Sequence, residues 1–120
     1  MKKKTKAFNR NTFQDENIER KNFQRGIFNL NNSDKYIGET MNNKLNGVGI
    51  YYFENKSKYI GEYKNGLKHG QGIYFYSNGN KYLGEFKLGL PDGSGILILK
   101  NRKKIIGFSN KGKFFSNHKI

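Results

Sequence analysis

The chain consists of short stretches in which every second residue is apolar or glycine, separated by segments rich in glycine and asparagine. Within residues 59–64, tyrosine and glycine occupy every second position, so they share one face of an extended strand. Asn65 and Gly66 follow, and both accept the positive φ angles of a type I′ turn. Residues 72–76 are β-branched and aromatic, which favours a second strand, and the polar residues 77–80 form another turn signal. This pattern predicts a β-hairpin.

The hairpin pattern recurs with a period of 23 residues. The phrase Tyr-x-Gly-Glu begins at Tyr36, Tyr59 and Tyr82, and a decayed copy follows in phase at Ile105. Each full copy also contains a Gly-x-Gly phrase, and an isoleucine directly follows its second glycine. Such periodicity is typical of repeat proteins, in which each unit packs on its neighbours. The positions expected to maintain the repeat are Tyr36, Gly38, Gly47, Gly49, Tyr59, Gly61, Gly70, Gly72, Tyr82, Gly84, Gly93 and Gly95.

The phase of the repeat divides the chain into a basic N-terminal tail (1–12), a leading segment (13–35), three full repeats (36–58, 59–81 and 82–104) and a partial C-terminal repeat (105–120). The leading segment fits two interpretations. It fits a degenerate repeat because Gly26 begins a Gly-Ile-Phe phrase one period before a similar phrase in the first full repeat. It also fits a helical cap because Thr12 and Asp15 form a capping-box pattern. We expect a helix or irregular cap over residues 12–22, with the repeat pattern beginning near Phe23.

The recurrent glycines have a packing role. Without a side chain at Gly61 or Gly72, a neighbouring tyrosine or phenylalanine ring can lie flat against the backbone. Since an isolated hairpin is marginally stable at best, successive hairpins must stack and bury a continuous row of aromatic rings. The predicted fold is therefore all-β, an elongated single-layer antiparallel sheet of successive hairpins.

The repeat resembles a known family. Tyr-x-Gly-Glu followed by Gly-x-x-x-Gly-x-Gly, as at Gly66, Gly70 and Gly72, is similar to the MORN (membrane occupation and recognition nexus) repeat. The resemblance covers residues 36–104 well and the flanking segments more weakly. It implies an open, solenoid-like sheet of MORN-type hairpins whose usual role is scaffolding or partner binding. Members of the family occur in ciliary, cytoskeletal and membrane-junction proteins, and as accessory regions of lipid kinases and methyltransferases.

The charge of the chain bears on its partners. Lysine and arginine number 23 against 9 aspartate and glutamate residues, which gives a net charge of +14. Acidic proteins, phosphate backbones and anionic lipid surfaces are attracted to such an excess. The abundance of lysine, asparagine and isoleucine also fits AT-rich codon usage, so the sequence leaves open whether the charge is selected. The densest basic clusters are residues 2–10 and 100–104.

Several classes of chemistry are not supported by the sequence. Cysteine is absent, so thiol chemistry and disulfides are impossible. His69 and His118 lack the nucleophile and orienting acid of a catalytic triad, and no phosphate-binding loop motif occurs. We therefore predict a protein that is not an enzyme and that has no catalytic, cofactor-binding or metal-binding residues. With no secretory signal and no apolar run long enough to cross a bilayer, we expect an intracellular, cytoplasmic protein.

The leading hypothesis is a structural or scaffold subunit that docks an aromatic-and-glycine sheet face onto other proteins of a larger complex. The family resemblance makes the cytoskeleton or a cilium the expected setting. Peripheral binding to anionic phospholipid through the lysine clusters is the first alternative, and binding to RNA or ribonucleoprotein, and so to nucleic acid, is the second. The residues expected to contact partners are Tyr51, Tyr74, Phe75, Tyr76, Lys100, Arg102, Lys103 and Lys104.

Overall fold

A computed structural model describes residues 22–117 and shows nine antiparallel strands in one open sheet, which confirms the predicted all-β fold. Each strand pairs with its neighbours in sequence, as expected for successive hairpins. The strands are β1 (Phe23–Asn29), β2 (Lys35–Met41), β3 (Lys44–Tyr52), β4 (Lys58–Lys64), β5 (Leu67–Phe75), β6 (Lys81–Lys87), β7 (Leu90–Ile98), β8 (Lys104–Asn110) and β9 (Lys113–Ser116). The cap expected over residues 12–22 falls almost wholly outside the described residues.

The turn that closes each hairpin has the backbone conformation predicted from Asn65 and Gly66. Both residues have positive φ, 52° and 87°, as a type I′ turn requires. The corresponding pairs in the other hairpins also have positive φ and are Asn42–Asn43, Leu88–Gly89 and Lys111–Gly112. The tight turns fix the register of each hairpin.

The loops that connect one hairpin to the next share an asparagine. Its side-chain oxygen accepts a hydrogen bond from the backbone N–H two residues later, as Asn55 does from Ser57 at 2.9 Å. This arrangement lets a side chain stabilise a turn locally. The asparagines recur every 23 residues and are Asn32, Asn55, Asn78 and Asn101. This period is present in the sequence, from which the turn at 77–80 was predicted.

Each full repeat contains an irregularity that accommodates its glutamate. In the hairpin of β4 and β5, Gly61 pairs with Gly72 while Glu62 pairs with His69, so β5 carries two additional residues. One of them, Gly70, has a φ of 66°, and a Cβ atom there would overlap the Glu62 carboxylate. This β-bulge therefore requires glycine both for its backbone conformation and for space.

The core lies on one face of the sheet, which we call the tyrosine face. Tyr36 and Tyr59 are fully buried and Tyr82 is nearly so. Their rings lie on glycines of the following strand, as Tyr59 does on Gly72, which confirms the predicted ring-on-glycine packing. The Tyr59 hydroxyl also donates a hydrogen bond to the Glu62 carbonyl at 3.0 Å.

Aromatic contacts join one repeat to the next across the tyrosine face. The Tyr63 ring packs edge-on against Tyr36 of the preceding repeat, with centroids 5.6 Å apart. Phe86 makes the same kind of contact with Tyr59, at 5.0 Å. Because each buried tyrosine needs a ring from the following hairpin, the core forms only when repeats stack.

Candidate functional site

The opposite face of the sheet carries a row of aliphatic side chains, one from each of the first eight strands. Directly paired residues of neighbouring antiparallel strands project to the same side, so the register alone aligns this row. We call it the aliphatic ladder, and its members are Ile27, Ile37, Ile50, Ile60, Ile73, Leu83, Ile96 and Ile106.

Nothing within residues 22–117 covers the aliphatic ladder. Its end members are the most exposed, Ile27 at 66% and Ile106 at 61%. The six inner members are half-buried, since each is shielded by its cross-strand neighbours. An open groove of about 650 Å³ runs over the part of the ladder between Ile60 and Ile106. We call this face of the sheet the ladder face.

A row of lysines runs beside the ladder on one flank. The register alternates a lysine with an apolar residue, in the order Lys35, Tyr52, Lys58, Phe75, Lys81, Ile98 and Lys104. The Lys58 ammonium lies 4.7 Å from the centroid of the Phe75 ring, and the Lys81 ammonium lies 5.6 Å from it. Cation–π contacts thus hold the ammonium groups close to the apolar row. We call these four lysines the lysine row.

The other flank of the ladder carries the repeat glutamates, Glu39, Glu62 and Glu85. Glu39 accepts a hydrogen bond from the Val48 backbone at 3.0 Å and forms a salt bridge with Arg25 at 3.3 Å. These two interactions, the backbone hydrogen bond first, hold the pKa of Glu39 below its usual value. The ladder is therefore flanked by cations on one side and by carboxylates on the other.

A second aromatic group lies on the tyrosine face, where the strands meet the connecting loops. Tyr51, Phe53, Tyr74 and Tyr76 form a continuous chain of rings, with successive centroids 4.5, 5.7 and 4.9 Å apart. The Tyr51 hydroxyl donates to the Asp34 carboxylate at 2.7 Å. Burial, together with this hydrogen bond, raises the pKa of Tyr51 to about 12. The same bond lowers the pKa of Asp34.

Lys68 places its ammonium group among these rings. Its Nζ atom lies 5.7 Å from the ring centroids of Tyr59 and Tyr74 and 6.0 Å from that of Phe53. Burial lowers the pKa of Lys68. The aromatic chain is thus occupied by a side chain of the protein itself.

The predicted partner-binding residues do not form one surface. Tyr51, Tyr74 and Tyr76 lie on the tyrosine face. Phe75 lies on the ladder face, between Lys58 and Lys81 of the lysine row. The basic cluster is also divided. Its members in the β7–β8 loop are Lys100, Arg102 and Lys103, and Lys104 begins β8 beside Ile98 in the lysine row.

The aliphatic ladder was not recognised as a candidate site from the sequence. The sequence nevertheless contains the pattern that forms the ladder. An aliphatic residue directly follows the tyrosine of each Tyr-x-Gly-Glu phrase, and another directly follows the second glycine of each Gly-x-Gly phrase. The tyrosine face was expected to dock partners. Its repeat tyrosines Tyr36, Tyr59 and Tyr82 are buried against the chain's own glycines, whereas Tyr76, one of the residues expected to contact partners, is exposed. Among residues 22–117, no group of three histidine, cysteine, aspartate or glutamate side chains could hold a metal ion. The described residues contain no helix that could span a membrane.

Comparison with known proteins identifies the repeat. A family model for the MORN repeat matches residues 36–58, 59–81 and 82–102, which together make up more than half of the chain. A comparison with curated proteins gave no match. The MORN repeat is a non-catalytic type of repeat that is generally associated with protein or lipid interaction. Three consecutive matches in the phase of the observed hairpins show that this chain belongs to the MORN repeat family.

Proposed function

We propose that this protein is a non-enzymatic scaffold subunit that binds partner proteins of a larger assembly through its ladder face. The observation that supports the proposal is the uncovered aliphatic ladder on one face of a sheet whose other face is filled by its own tyrosines. Protein interfaces commonly place an apolar centre inside a polar rim. The ladder with its flanking lysine and glutamate rows has this organisation.

The energetic argument favours a partner that covers the ladder. Burial of apolar surface contributes about 25 cal/mol for each Å² removed from water. Ile27 and Ile106 are more than half exposed and the six inner members are half-buried, so a covering partner removes most apolar surface from water at the two ends of the ladder and less at each inner strand. A contact with this apolar centre withstands salt, because salt screens charges and does not weaken apolar burial. A cytoplasmic, cytoskeletal or ciliary setting is part of this proposal and rests on the family resemblance.

Peripheral binding to anionic lipid is a second candidate, and one observation favours it. The lysine row lies beside the aliphatic ladder on the same face, so ammonium groups and apolar side chains project together. Anionic lipid headgroups attract such cations, with a strength that falls with ionic strength. The two candidates therefore differ in their response to salt.

Affinity purification of the tagged protein from its own cells, with low-salt and high-salt washes, separates the two candidates. A variant with Ile60→Thr and Ile73→Thr alters the ladder while retaining β-branched residues. A control variant neutralises the loop cations, with Lys100→Gln, Arg102→Gln and Lys103→Gln. We expect a fixed set of proteins to resist high salt, to be lost with the ladder variant and to remain with the control. Recovery of lipid or RNA alone, at low salt only, would refute the scaffold function.

A further inference from the structure

The aliphatic ladder and the lysine row have a common repeat distance along the sheet. Neighbouring strands lie about 4.8 Å apart, so ladder side chains recur at about that distance. The lysine row contributes a cation at every second strand, or about every 9.6 Å. Each repeat therefore presents two aliphatic side chains and one ammonium group.

An α-helix laid across the strands matches this spacing. One heptad of a helix is about 10.5 Å long and contains two apolar positions, a and d. A heptad therefore offers two apolar residues and one flanking charge for each sheet repeat. The difference of about 0.9 Å per repeat grows to about 3 Å over three repeats, which the flexible lysine side chain accommodates.

An extended peptide crossing the strands does not match. In a strand, side chains on one face recur about every 6.7 Å, against about 4.8 Å for the ladder. Such a peptide loses alignment with the ladder within two residues of contact. A helix is therefore the secondary structure whose period fits this face.

The flanking charges specify the partner further. The lysine row attracts acidic side chains on one flank of the helix, whereas the flank near Glu62 and Glu85 repels them. The net charge of +14 also favours encounter with an acidic partner.

We propose that the ladder face binds an amphipathic α-helix of a partner protein, about three heptads long and acidic along one flank. This inference rests on the proposed function, since it names the partner segment that covers the ladder. The apolar positions a and d of the helix contact the aliphatic ladder, and its acidic flank faces Lys35, Lys58 and Lys81.

Synthetic peptides test the proposal directly. The probe is a fluorescein-labelled peptide of three heptads with leucine at a and d, glutamate at e and glutamine at g. One control peptide carries lysine at e, and a second has the same composition as the probe with its leucines placed at alternating positions in one continuous stretch. Fluorescence anisotropy with the full chain measures binding. We expect the glutamate helix to bind at least tenfold more tightly than either control, because unlike charges attract at a rim and the strand period does not fit.

Matched protein variants locate the contact. Lys58→Gln with Lys81→Gln removes two charges from the lysine row, and we expect about fivefold weaker binding of the glutamate helix. Lys44→Gln with Lys64→Gln removes the same charge from strand ends beyond the glutamate flank and should leave binding unchanged. Lys58→Glu with Lys81→Glu should instead favour the peptide with lysine at e. This exchange of preference shows that a variant has folded.

Three results would overturn the inference. They are equal binding of all peptides, equal effects of the two lysine-to-glutamine variants, and binding of phosphatidylserine vesicles through the lysine row without binding of the helix. The proposed function is tested separately. If salt-resistant proteins are still lost from the Ile60→Thr, Ile73→Thr variant while the helix fails to bind, the scaffold function stands and the helical partner does not.

Discussion

Replacing Gly72 by alanine tests the packing on which the tyrosine face depends. Gly72 has no positive φ, so its backbone conformation suits alanine. A Cβ atom there would nevertheless lie within 2.5 Å of Cε1 and Cζ of Tyr59, far inside normal contact distance. Because Tyr59 is fully buried and packs against Phe86, its ring has to leave the core to make room.

The expected cost follows from what the displaced ring loses. Burial of a large apolar side chain contributes about 1.5–3 kcal/mol. The hydrogen bond from Tyr59 to the Glu62 carbonyl contributes about 1 kcal/mol more. Alanine in place of glycine within a strand stabilises the fold by about 0.5–1 kcal/mol, because glycine loses more conformational entropy on folding. We therefore expect Gly72→Ala to lower the free energy of unfolding by about 1.5–3.5 kcal/mol. With an m-value of about 2 kcal/mol/M, the urea midpoint falls by about 0.8–1.8 M.

Urea unfolding followed by circular dichroism and tyrosine fluorescence measures this change. Gly26→Ala is the matched control, because Gly26 belongs to the same glycine row and the nearest atom to its added Cβ, in Phe28, is 3.9 Å away. The control should be neutral or slightly stabilising. In a Tyr59→Leu background, the loss in free energy of unfolding caused by Gly72→Ala should be smaller by at least about 1 kcal/mol than in the natural chain. Equal stability of the two glycine variants would refute ring-on-glycine packing as the reason for the regular spacing of tyrosine and glycine in the repeats of this chain.

Three further predictions concern titration and turn strain. Burial raises the pKa of Tyr51 and Tyr59 to about 12, so the unfolded chain releases these protons first and stability should fall as pH rises from about 10 to 12. Thermal unfolding and tyrosine absorbance against pH check this, and ionisation of every tyrosine near pH 10 without loss of stability would contradict it. Tyr51→Phe should destabilise the protein at pH 7, and the difference should narrow below about pH 4, because the lowered pKa of Asp34 stabilises the fold only above that range. Urea midpoints of both proteins at pH 7 and pH 3 measure it, and a constant difference would argue against the Asp34 contact. Leu88→Asn should raise the free energy of unfolding by about 1 kcal/mol in urea unfolding, because Leu88 is 73% exposed at a φ of 53° where asparagine is better tolerated. A loss of stability would show that this leucine has a packing role.

The sequence alone determined the local parts of this fold. The type I′ turn at Asn65 and Gly66 follows from the φ preferences of two adjacent residues, and the strands follow from a period of two. The packing of a tyrosine ring on a glycine could also be predicted, because Tyr59 and Gly72 recur in phase in every full repeat. These features depend on few residues at short or regular separations.

Only the tertiary structure decided which face stays open. An aromatic or aliphatic residue lies next to the ladder residue in strands such as β4 (Tyr59 before Ile60) and β7 (Leu97 after Ile96), so both faces read as apolar in the sequence. The tyrosine face closes because its rings reach across to glycines of the next strand, whereas isoleucine such as Ile60 is too short to cover its own face. Pairing register likewise divided the basic cluster, since Lys104 enters the sheet beside Ile98 while the residues just before it form a loop. Rows that cross the strands join residues distant in sequence, and their alignment depends on turns and bulges acting together.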